Sequence, residues 1–416
     1  MRIGINGRFL VAKRTGVQRA AYNLIKTMVE LDRQNEYVIF TGHEQEGNAD
    51  WNYPNVKVIG DSLRPSESFR NHLWEQFKLP RLAKKYGIDI LHSPANVAPL
   101  FYRGKSIVHI HDLCFVVNPQ WYSFSFRTMY NLIIPRLAHR ATRVITNSNN
   151  SKNDLLQYFG LPAEKVSLVY WAVDETFSQP SSQKLDLSAS METSDYILYV
   201  GSLEPRKNIN VLIEAFEELR VAHPMLKTKL ILIGGESPLF AHVRLKAKRF
   251  RDDVIFKGFV RDDELKEYYR RAKLVAYPSL YEGFGLPPLE AMASGSPVVT
   301  SYTSSIPEVV GKAALMVDPH NTGQLVDAMY RVLSDEKLAQ ALRAAGREQV
   351  QRFNWYRVAR GVMAVYYEVH QRRANQPLTV QSFMPMGVWQ NLCDRELKHR
   401  NSIRAGFAAG AKQGGV

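Results

Sequence analysis

The sequence predicts an α/β protein with two doubly wound parallel sheets, and three observations predict this fold class. Short apolar, β-rich runs alternate with helix-like segments along the first half of the chain, and the same alternation begins again in the second half. A Ser-rich stretch without apolar periodicity separates the halves. At 416 residues, the chain is long enough for two domains that each bury a core.

The N-terminal domain is predicted over residues 1–178. Its strands are expected in the runs RIGIN, YVIFTG, VKVIG, DILHS, SIVHIHD, RVITNS and VSLVYWAV. Residues 179–194 are interpreted as the linker.

The C-terminal domain is predicted over residues 195–352, with strands in DYILYVGS, KLILIGG, DVIFKGF, KLVAYPS, SPVVTS and AALMVDP. Residues 353–371 carry apolar side chains at three- and four-residue steps, which predicts an amphipathic helix that returns to the N-terminal domain. Residues 372–416 are expected to form a basic, partly flexible tail. Because ligands of open parallel sheets lie beyond the carboxyl ends of the strands, the chemistry is expected in a cleft between the domains.

The formal net charge of +14 is concentrated towards the two ends of the chain. A basic surface attracts nucleic acid, anionic lipid or phosphorylated ligands, but no zinc-finger, ribonucleoprotein or helix-turn-helix pattern is evident, so nucleic acid is not expected as a partner. The apolar runs are too short to span a membrane. Two cysteines without a paired spacing fit a reducing cytoplasm.

The segment YEGFGLPPLEAMASGSP, residues 281–297, places two carboxylates around a glycine- and proline-rich turn. Glu282 is predicted in a loop after a strand, and Glu290 in about the first turn of a helix that opens near Pro287. Backbone N–H groups at such a helix start suit an anion, and the carboxylates can accept hydrogen bonds from sugar hydroxyls. Taken singly, Glu290 could merely complement the helix dipole and Glu282 could be a solvated loop residue.

Three further strand-loop-helix junctions carry polar residues. In VGSLEPRKNI, Arg206 and Lys207 are placed to bind a diphosphate, unless Lys207 is solvated and Arg206 pairs with Glu204. Gly16 lies at a basic helix start near the N-terminus. In HIHDLCF, the strand-end position makes His111 a stronger candidate than His109, although a histidine on an apolar strand is more often a core residue.

These motifs together resemble the family 4 retaining glycosyltransferases of the GT-B fold, in which two Rossmann-like domains face each other across a cleft. The resemblance is carried by PSLYEGFGLPPLEAMASGSPVV, GSLEPRKN, HDL and TGVQR. It covers residues 1–371 in motif order, and the tail lies outside it.

The resemblance implies transfer of a sugar from a nucleotide sugar to an acceptor hydroxyl, with retention at the anomeric carbon. It assigns catalytic positions to Glu282, at the donor sugar, and His111, on the acceptor side. It assigns donor binding to Arg206, Lys207, Gly283, Phe284, Gly285, Leu286, Glu290 and Gly16, with Glu290 on the ribose of the nucleotide. Many family members have arginine where this chain has Ser202, so the phosphate contacts are expected to depend on Arg206.

No cofactor and no metal are expected, because cations and helix-start N–H groups can stabilise the leaving diphosphate. Glu282 is interpreted as a positioning group more readily than as a nucleophile, since same-face attack assisted by the leaving phosphate also gives retention. A polyprenyl-diphosphate-linked glycan is the expected acceptor, in exopolysaccharide or O-antigen synthesis.

Residues 69–87 resemble a segment of bacterial mannosyltransferases in this family, which favours GDP-mannose as donor. GDP-rhamnose and UDP-sugars stay open, as do a second enzyme class on the same fold and a non-catalytic nucleotide-sugar-binding subunit. Phe69, Leu73 and Phe77 recur at four-residue steps among basic residues, so this segment either rests on an anionic membrane or packs its stripe in the core. The chain is expected in the cytoplasm, either free or peripheral on the inner face of the plasma membrane.

Overall fold

The computed structural model describes residues 1–12, 16–42, 49–64, 67–179, 195–235 and 250–371. The predicted basic tail lies outside the described residues, as does the predicted linker apart from its first residue. Within the described part, the first sheet contains strands β1 to β7, which are all parallel and lie in the order β3-β2-β1-β4-β5-β6-β7. Their bounds are Arg2–Asn6, Glu36–Gly42, Val56–Asp61, Ile90–Ser93, Lys105–His109, Arg143–Thr146 and Val166–Leu168.

The second sheet contains β8 to β13, again all parallel, in the order β10-β9-β8-β11-β12-β13. Their bounds are Tyr196–Val200, Lys229–Ile233, Val254–Gly258, Leu274–Tyr277, Val298–Ser301 and Leu315–Val317. The fold class predicted from the sequence is confirmed. Helices cover both faces of such sheets, so the central strands β8 and β11 are continuously apolar and buried along their whole length.

Helices connect the strands and form the outer layers. In chain order, α1 to α7 are Arg8–Val11, Gly16–Leu31, Ser68–Leu73, Leu79–Lys85, Cys114–Val117, Phe124–Arg140 and Asn149–Phe159. Helices α8 to α14 are Ile209–Ala222, Asp262–Arg271, Leu286–Ala293, Ile306–Val310, Thr322–Ser334, Glu336–Val350 and Trp355–Gln371.

Each sheet has one point at which the strand order reverses direction. In the first sheet this point lies between β1 and β4, and in the second between β8 and β11. Ligands of doubly wound sheets bind beyond the carboxyl ends of the strands at such switch points. The loops after β8 and β11 contain the GSLEPRKN and EGFG motifs, so the topology brings these motifs to one place.

The last described helix, α14, packs against α2 and β4 of the first sheet. The residues that it buries follow the helical period and include Trp355, Ala359, Val362 and Tyr366. The Tyr366 hydroxyl lies 2.6 Å from His92 Nδ1 in β4. The chain therefore crosses from the second sheet back to the core of the first.

The segment around residues 69–87 is not one regular helix with its predicted stripe in the core. A π-helical turn, Trp74–Lys78, separates α3 from α4 and buries Trp74 and Glu75. The side chains of Phe69 and Phe77 are 75% and 52% exposed, and Leu73 is also exposed. The core alternative for this apolar stripe is therefore wrong. In the described residues, no helix combines the length and apolarity required to cross a membrane.

Candidate active site

A buried cluster of charges surrounds Glu282 at the switch point of the second sheet. Glu282 follows β11 and is 5% exposed. Its Oε1 accepts hydrogen bonds from Lys207 Nζ at 2.5 Å and from the Tyr277 hydroxyl at 2.9 Å, and its Oε2 lies 3.2 Å from Arg206 Nη1. Arg206 and Lys207 follow β8, the neighbour of β11 in the sheet.

The Glu282 carboxylate stays ionised although it is buried. Burial alone would raise its pKa, but Lys207 and Arg206 outweigh burial and lower the pKa to about 2. Arg206 Nε also pairs with Glu204 Oε2 at 2.7 Å, as one of the sequence alternatives proposed. Lys207 is buried, so the alternative of a solvated Lys207 is wrong. The two cations and two carboxylates leave this cluster without net charge.

The loop that carries Glu282 is held by two adjacent serines. Ser304 Oγ accepts a hydrogen bond from the Glu282 N–H at 2.8 Å, and Ser305 Oγ donates to the carbonyls of Glu282 and Phe284, each at 2.9 Å. Gly285 then takes the left-handed φ of 105° that glycine tolerates, and α10 begins at Leu286. The helix starts within one residue of the position that the proline predicts.

Gly283 brings this loop against the first sheet. A Cβ atom at Gly283 would lie 2.7 Å from the His111 carbonyl oxygen and 2.9 Å from Asp112 Cβ, so only glycine fits without a backbone shift. Ser151 Oγ donates to the His111 carbonyl at 2.9 Å and to the Gly283 carbonyl at 3.3 Å. The predicted donor loop and the predicted acceptor-side histidine therefore meet across the cleft.

His111 is buried and neutral. Burial lowers its pKa to about 3, against the Pro94 carbonyl, which raises it. Its Nε2 lies 3.1 Å from that carbonyl oxygen, and its Nδ1 has no hydrogen-bond partner among the described residues. If Nε2 carries the proton, Nδ1 presents a lone pair that can accept a hydrogen bond.

Glu290 contacts different residues from those of the Glu282 cluster. It is the fifth residue of α10 and thus in the second turn, slightly beyond the first turn that the sequence predicted. Its Oε2 accepts a hydrogen bond from the Tyr269 hydroxyl at 2.9 Å. Burial raises the pKa of Glu290, whereas Tyr269 and the nearby Arg19 lower it.

Gly16 begins α2 and faces the same loop. A Cβ atom built on Gly16 would be 3.6 Å from Leu286 Cδ1, so the predicted N-terminal glycine and the predicted donor loop are neighbours across the cleft. The structure thus gathers Glu282, Arg206, Lys207, Gly283 and His111 directly. Their roles stay predictions.

Several residues at the site were missed by the sequence analysis. Tyr277 ends β11 and looked like a core residue because its strand is apolar, and Ser304 and Ser305 carry no motif of their own. Asp112 follows His111 at the end of its strand and was given no predicted role, yet it packs against Gly283. The His-Asp pair in the HDL motif was the sequence signal that could have indicated a role for Asp112 at the site.

Among the described residues, no group of three or more His, Cys, Asp or Glu side chains is arranged to hold a metal ion. The prediction that no metal is required stays a prediction. Two surface cavities, of about 450 and 580 Å³, open at the amino ends of the strands, near Lys273 and Arg2 respectively. Ligands of parallel sheets bind at the opposite edge, so neither cavity is assigned to the site.

Two family models match the chain and divide it as the two sheets do. The model described as glycosyltransferase family 4 matches residues 14–177, and the model described as glycosyl transferases group 1 matches residues 184–349.

Curated relatives match large parts of the chain. O-antigen chain mannosyltransferase B from Escherichia coli is 29% identical over 283 residues, which cover 65% of this chain and 72% of the relative. The serotype-specific mannosyltransferase WbdA from the same species is 31% identical over 61% of this chain, but this match spans only 32% of that longer protein. An uncharacterized glycosyltransferase, MJ1607 from Methanocaldococcus jannaschii, is 30% identical over 76% of this chain and 86% of its own length.

Solved structures share the architecture. Sucrose-phosphate synthase from Thermosynechococcus elongatus superposes with a TM-score of 0.70 over 89% of this chain and 99% of that chain, at 22% identity. At this identity the likeness describes the fold alone.

Proposed function

Because the chain belongs to the family 4 glycosyltransferases of the GT-B fold, we propose that it transfers a hexose from a nucleotide sugar to a glycan acceptor with retention at the anomeric carbon. The observation that carries this proposal is the Glu282 cluster at the switch point of the second sheet, which faces His111 and Asp112 across the cleft. A cluster that holds two cations beside a carboxylate suits a ligand with both phosphates and hydroxyls.

In this proposal, Arg206 and Lys207 bind the diphosphate of the donor and stabilise the charge that grows on it as the anomeric bond breaks. Glu282 accepts hydrogen bonds from hydroxyls of the donor sugar. The cluster is already charge-balanced without ligand, so the cations exchange part of their carboxylate contacts for phosphate oxygens when the donor binds. Glu290, on a separate set of partners, binds the ribose.

The donor is proposed to be GDP-mannose. The relative named O-antigen chain mannosyltransferase B supports this choice, as does the likeness of residues 69–87 to mannosyltransferase segments. The acceptor is proposed to be a polyprenyl-diphosphate-linked glycan of exopolysaccharide or O-antigen synthesis. A rhamnosyl- or glucosyltransferase that uses another GDP- or UDP-sugar is the alternative.

The protein is further proposed to act in the cytoplasm, peripherally on an anionic membrane. Phe69, Leu73 and Phe77 expose a row of apolar side chains, and the cationic Arg70 and Arg81 lie on the same segment. Sedimentation with anionic vesicles should fall as salt concentration rises, and Phe77→Ser should weaken it. Met225→Ser, which changes an exposed apolar residue of the second domain, is the matched control. Absence of binding at low salt would remove the membrane proposal.

The function is tested first by a thermal-shift screen of GDP, UDP, dTDP and ADP, because a nucleotide that binds only the native state raises the melting temperature. The expected result is the largest shift with GDP. A transfer assay with GDP-mannose and a lipid-linked acceptor follows. If nucleotide binds but no nucleotide sugar is hydrolysed or transferred, the protein is a non-catalytic nucleotide-sugar-binding subunit of an assembly complex, and the proposed activity is wrong.

A further inference from the structure

A carboxylate of the second domain binds the start of a helix in the first. Glu308 of α11 accepts hydrogen bonds from the backbone N–H groups of Asn149 and Asn150, the first two residues of α7, at 2.7 and 2.8 Å. Its Oε2 also accepts hydrogen bonds from the Asn149 side-chain amide and the Tyr170 hydroxyl, each at 3.0 Å. The first N–H groups of a helix have no partner inside the helix, so the second domain supplies the partner that α7 needs.

A second contact reaches the same helix from the donor loop. Tyr281, which directly precedes Glu282, is 6% exposed, and its hydroxyl donates to Asp154 Oδ2 at 2.6 Å. The Asn150 side-chain amide donates to the same oxygen at 3.1 Å. Neighbouring side chains of the loop therefore bind in different domains, because Tyr281 contacts α7 while Glu282 contacts Lys207.

A short segment joins both contacts to the Glu282 cluster. Ser304 and Ser305 hold the backbone of Glu282, and Glu308 follows three residues later. Ile306, between them, is fully buried. The loop that carries Glu282 is thus packed directly against the segment whose carboxylate binds α7.

Helix α7 in turn contacts backbone on both sides of the cleft. Ser151, in its first turn, is buried, and its Oγ donates to the His111 carbonyl at 2.9 Å and to the Gly283 carbonyl at 3.3 Å. Ser148 Oγ accepts a hydrogen bond from the Ser151 N–H at 3.0 Å, which fixes this turn. A shift of α7 therefore changes how the His111 backbone meets the EGFG loop.

The polar atoms of Glu308 and Tyr281 are used within the protein. Four hydrogen bonds occupy both oxygens of Glu308, and the Tyr281 hydroxyl donates to Asp154. These partners belong to the first domain, whereas the side-chain partners of Glu282 belong to the second. An effect on sugar transfer through α7 is therefore separable from an effect on donor binding.

We propose that Glu308 and Tyr281 are positioning residues for the transfer step, which hold α7 on the donor loop and thereby fix His111 relative to Glu282. This inference rests on the proposed function and adds two residues to those assigned to donor and acceptor. A misplacement of reacting groups by about 1 Å can slow a reaction about a hundredfold. Loss of either contact should therefore slow the transfer of bound sugar and leave the affinity for GDP unchanged.

The test of Glu308 measures single-turnover transfer of mannose from enzyme-bound GDP-mannose to a lipid-linked acceptor, at a temperature where every variant is folded. Glu308→Ala should slow this step about tenfold or more, with the Kd of GDP within about twofold of wild type. Glu308→Gln keeps one acceptor oxygen and should slow the step less. Glu336→Ala is the control and should not change the rate, because Glu336 is an exposed first-turn residue of α13 that pairs with Arg343 in its own domain.

The Tyr281 contact is tested by a double-mutant cycle. Tyr281→Phe removes the hydroxyl and keeps the ring, so it should slow transfer about fivefold or more. Asp154→Ala should slow transfer by a similar factor, and adding Tyr281→Phe to it should cause no further loss, because the contact is already broken. Asp154→Asn keeps an oxygen that accepts the Tyr281 proton and should restore most of the rate. Tyr158→Phe, at an exposed tyrosine of α7, is the control.

The inference is overturned if Glu308→Ala and Tyr281→Phe transfer sugar at the wild-type rate. It is also overturned if their affinity for GDP falls by the same factor as their rate, because the residues then act on donor binding, or if the losses of Tyr281→Phe and Asp154→Ala multiply in the double variant. Where Glu308→Ala fails to fold, the Tyr281 cycle and Glu308→Gln decide the question. An inactive wild type refutes the proposed function together with this inference, whereas normal transfer by the variants refutes this inference alone.

Discussion

At the scale of single residues, the charge state of Glu282 depends on its partners rather than on solvent. A carboxylate removed from water is normally protonated, but two cations and the Tyr277 hydroxyl hold this one ionised. The same contacts orient Arg206 and Lys207. A substitution here therefore changes both the ligand contacts and the balance of charge in the cluster.

Glu282→Gln should abolish turnover while free GDP binds at least as tightly as to wild type. The change removes one negative charge beside two cations, so the cluster becomes more attractive to a diphosphate, but the sugar loses its carboxylate. The fall in kcat should be at least about a hundredfold, equivalent to ~2.7 kcal/mol. Glu290→Ala is the comparison. It should weaken the binding of free GDP, because the contact with the ribose is lost. Equal GDP affinities in the two variants would contradict this division of roles.

Lys207→Met should weaken the binding of GDP about tenfold or more. It should weaken the binding of GMP less, and that of guanosine hardly at all. The stem of the side chain is kept while the charge opposite the diphosphate is lost, so the effect scales with the number of phosphates. Calorimetric titration of the three ligands measures the trend. Lys337→Met on exposed α13 is the control. A uniform loss for all three ligands would show that Lys207 does not contact phosphate.

At the scale of secondary-structure elements, the cleft is closed by contacts between loops and helix ends. Glu308 of α11 accepts hydrogen bonds from the backbone N–H groups of Asn149 and Asn150 at 2.7 and 2.8 Å, so a carboxylate of one domain satisfies the start of α7 in the other. The Tyr281 hydroxyl donates to Asp154 at 2.6 Å beside it. These contacts hold Gly283 against His111.

Gly283→Ala should lower turnover about tenfold or more with GDP affinity retained. The added methyl group would meet the His111 carbonyl at 2.7 Å, and backbone on both sides must separate to admit it. Steady-state kinetics and GDP titration measure the two effects separately. Gly323→Ala, whose Cβ has an ordinary 3.5 Å contact with Asn321 Oδ1, is the control. Wild-type turnover in Gly283→Ala would mean that this close approach is not needed for catalysis.

At the scale of the whole molecule, a buried row of rings connects α14 to the cleft. Tyr366 contacts His92, the His92 and His109 ring centroids are 4.8 Å apart, and those of His109 and His111 are 5.8 Å apart. Burial lowers the pKa of His92 to about 3, and it lowers the pKa of His109 well below 6.5, helped by the neighbouring histidines. All three imidazoles are therefore neutral in the folded protein near neutral pH.

The free energy of unfolding should fall as pH drops below about 6.5. The histidines of the unfolded chain become protonated in this range, whereas the buried histidines of the native state stay neutral. Their stabilisation is fully present above pH 6.5 and is lost towards pH 3. Each histidine contributes at most about 1.4 kcal/mol per pH unit to this slope. Urea unfolding between pH 7 and about 5 should show a smaller slope for His109→Phe than for wild type. Equal slopes would mean that His109 is protonated in the native state.

The fold was accessible from the sequence because its signals are local. The LVAY and YILYV runs are apolar along their whole length, which marks strands covered on both faces, and both lie where predicted. The burial of Phe69, Leu73 and Phe77 could not be predicted in this way. A four-residue spacing predicts that these side chains share a helix face, but not whether that face is covered. The π-helical turn that exposes this stripe leaves no clear mark in the sequence.

The sequence by itself determined the two parallel sheets and the strand-end loops that carry polar residues. These follow from periodicity and backbone preference, which act over a few residues. Only the tertiary structure decided that Lys207 and Arg206 hold Glu282, that Glu290 lies among other partners, and that Asp112 packs against Gly283 across the cleft. Those contacts join residues far apart in the chain, so they depend on strand order and on how the two domains close.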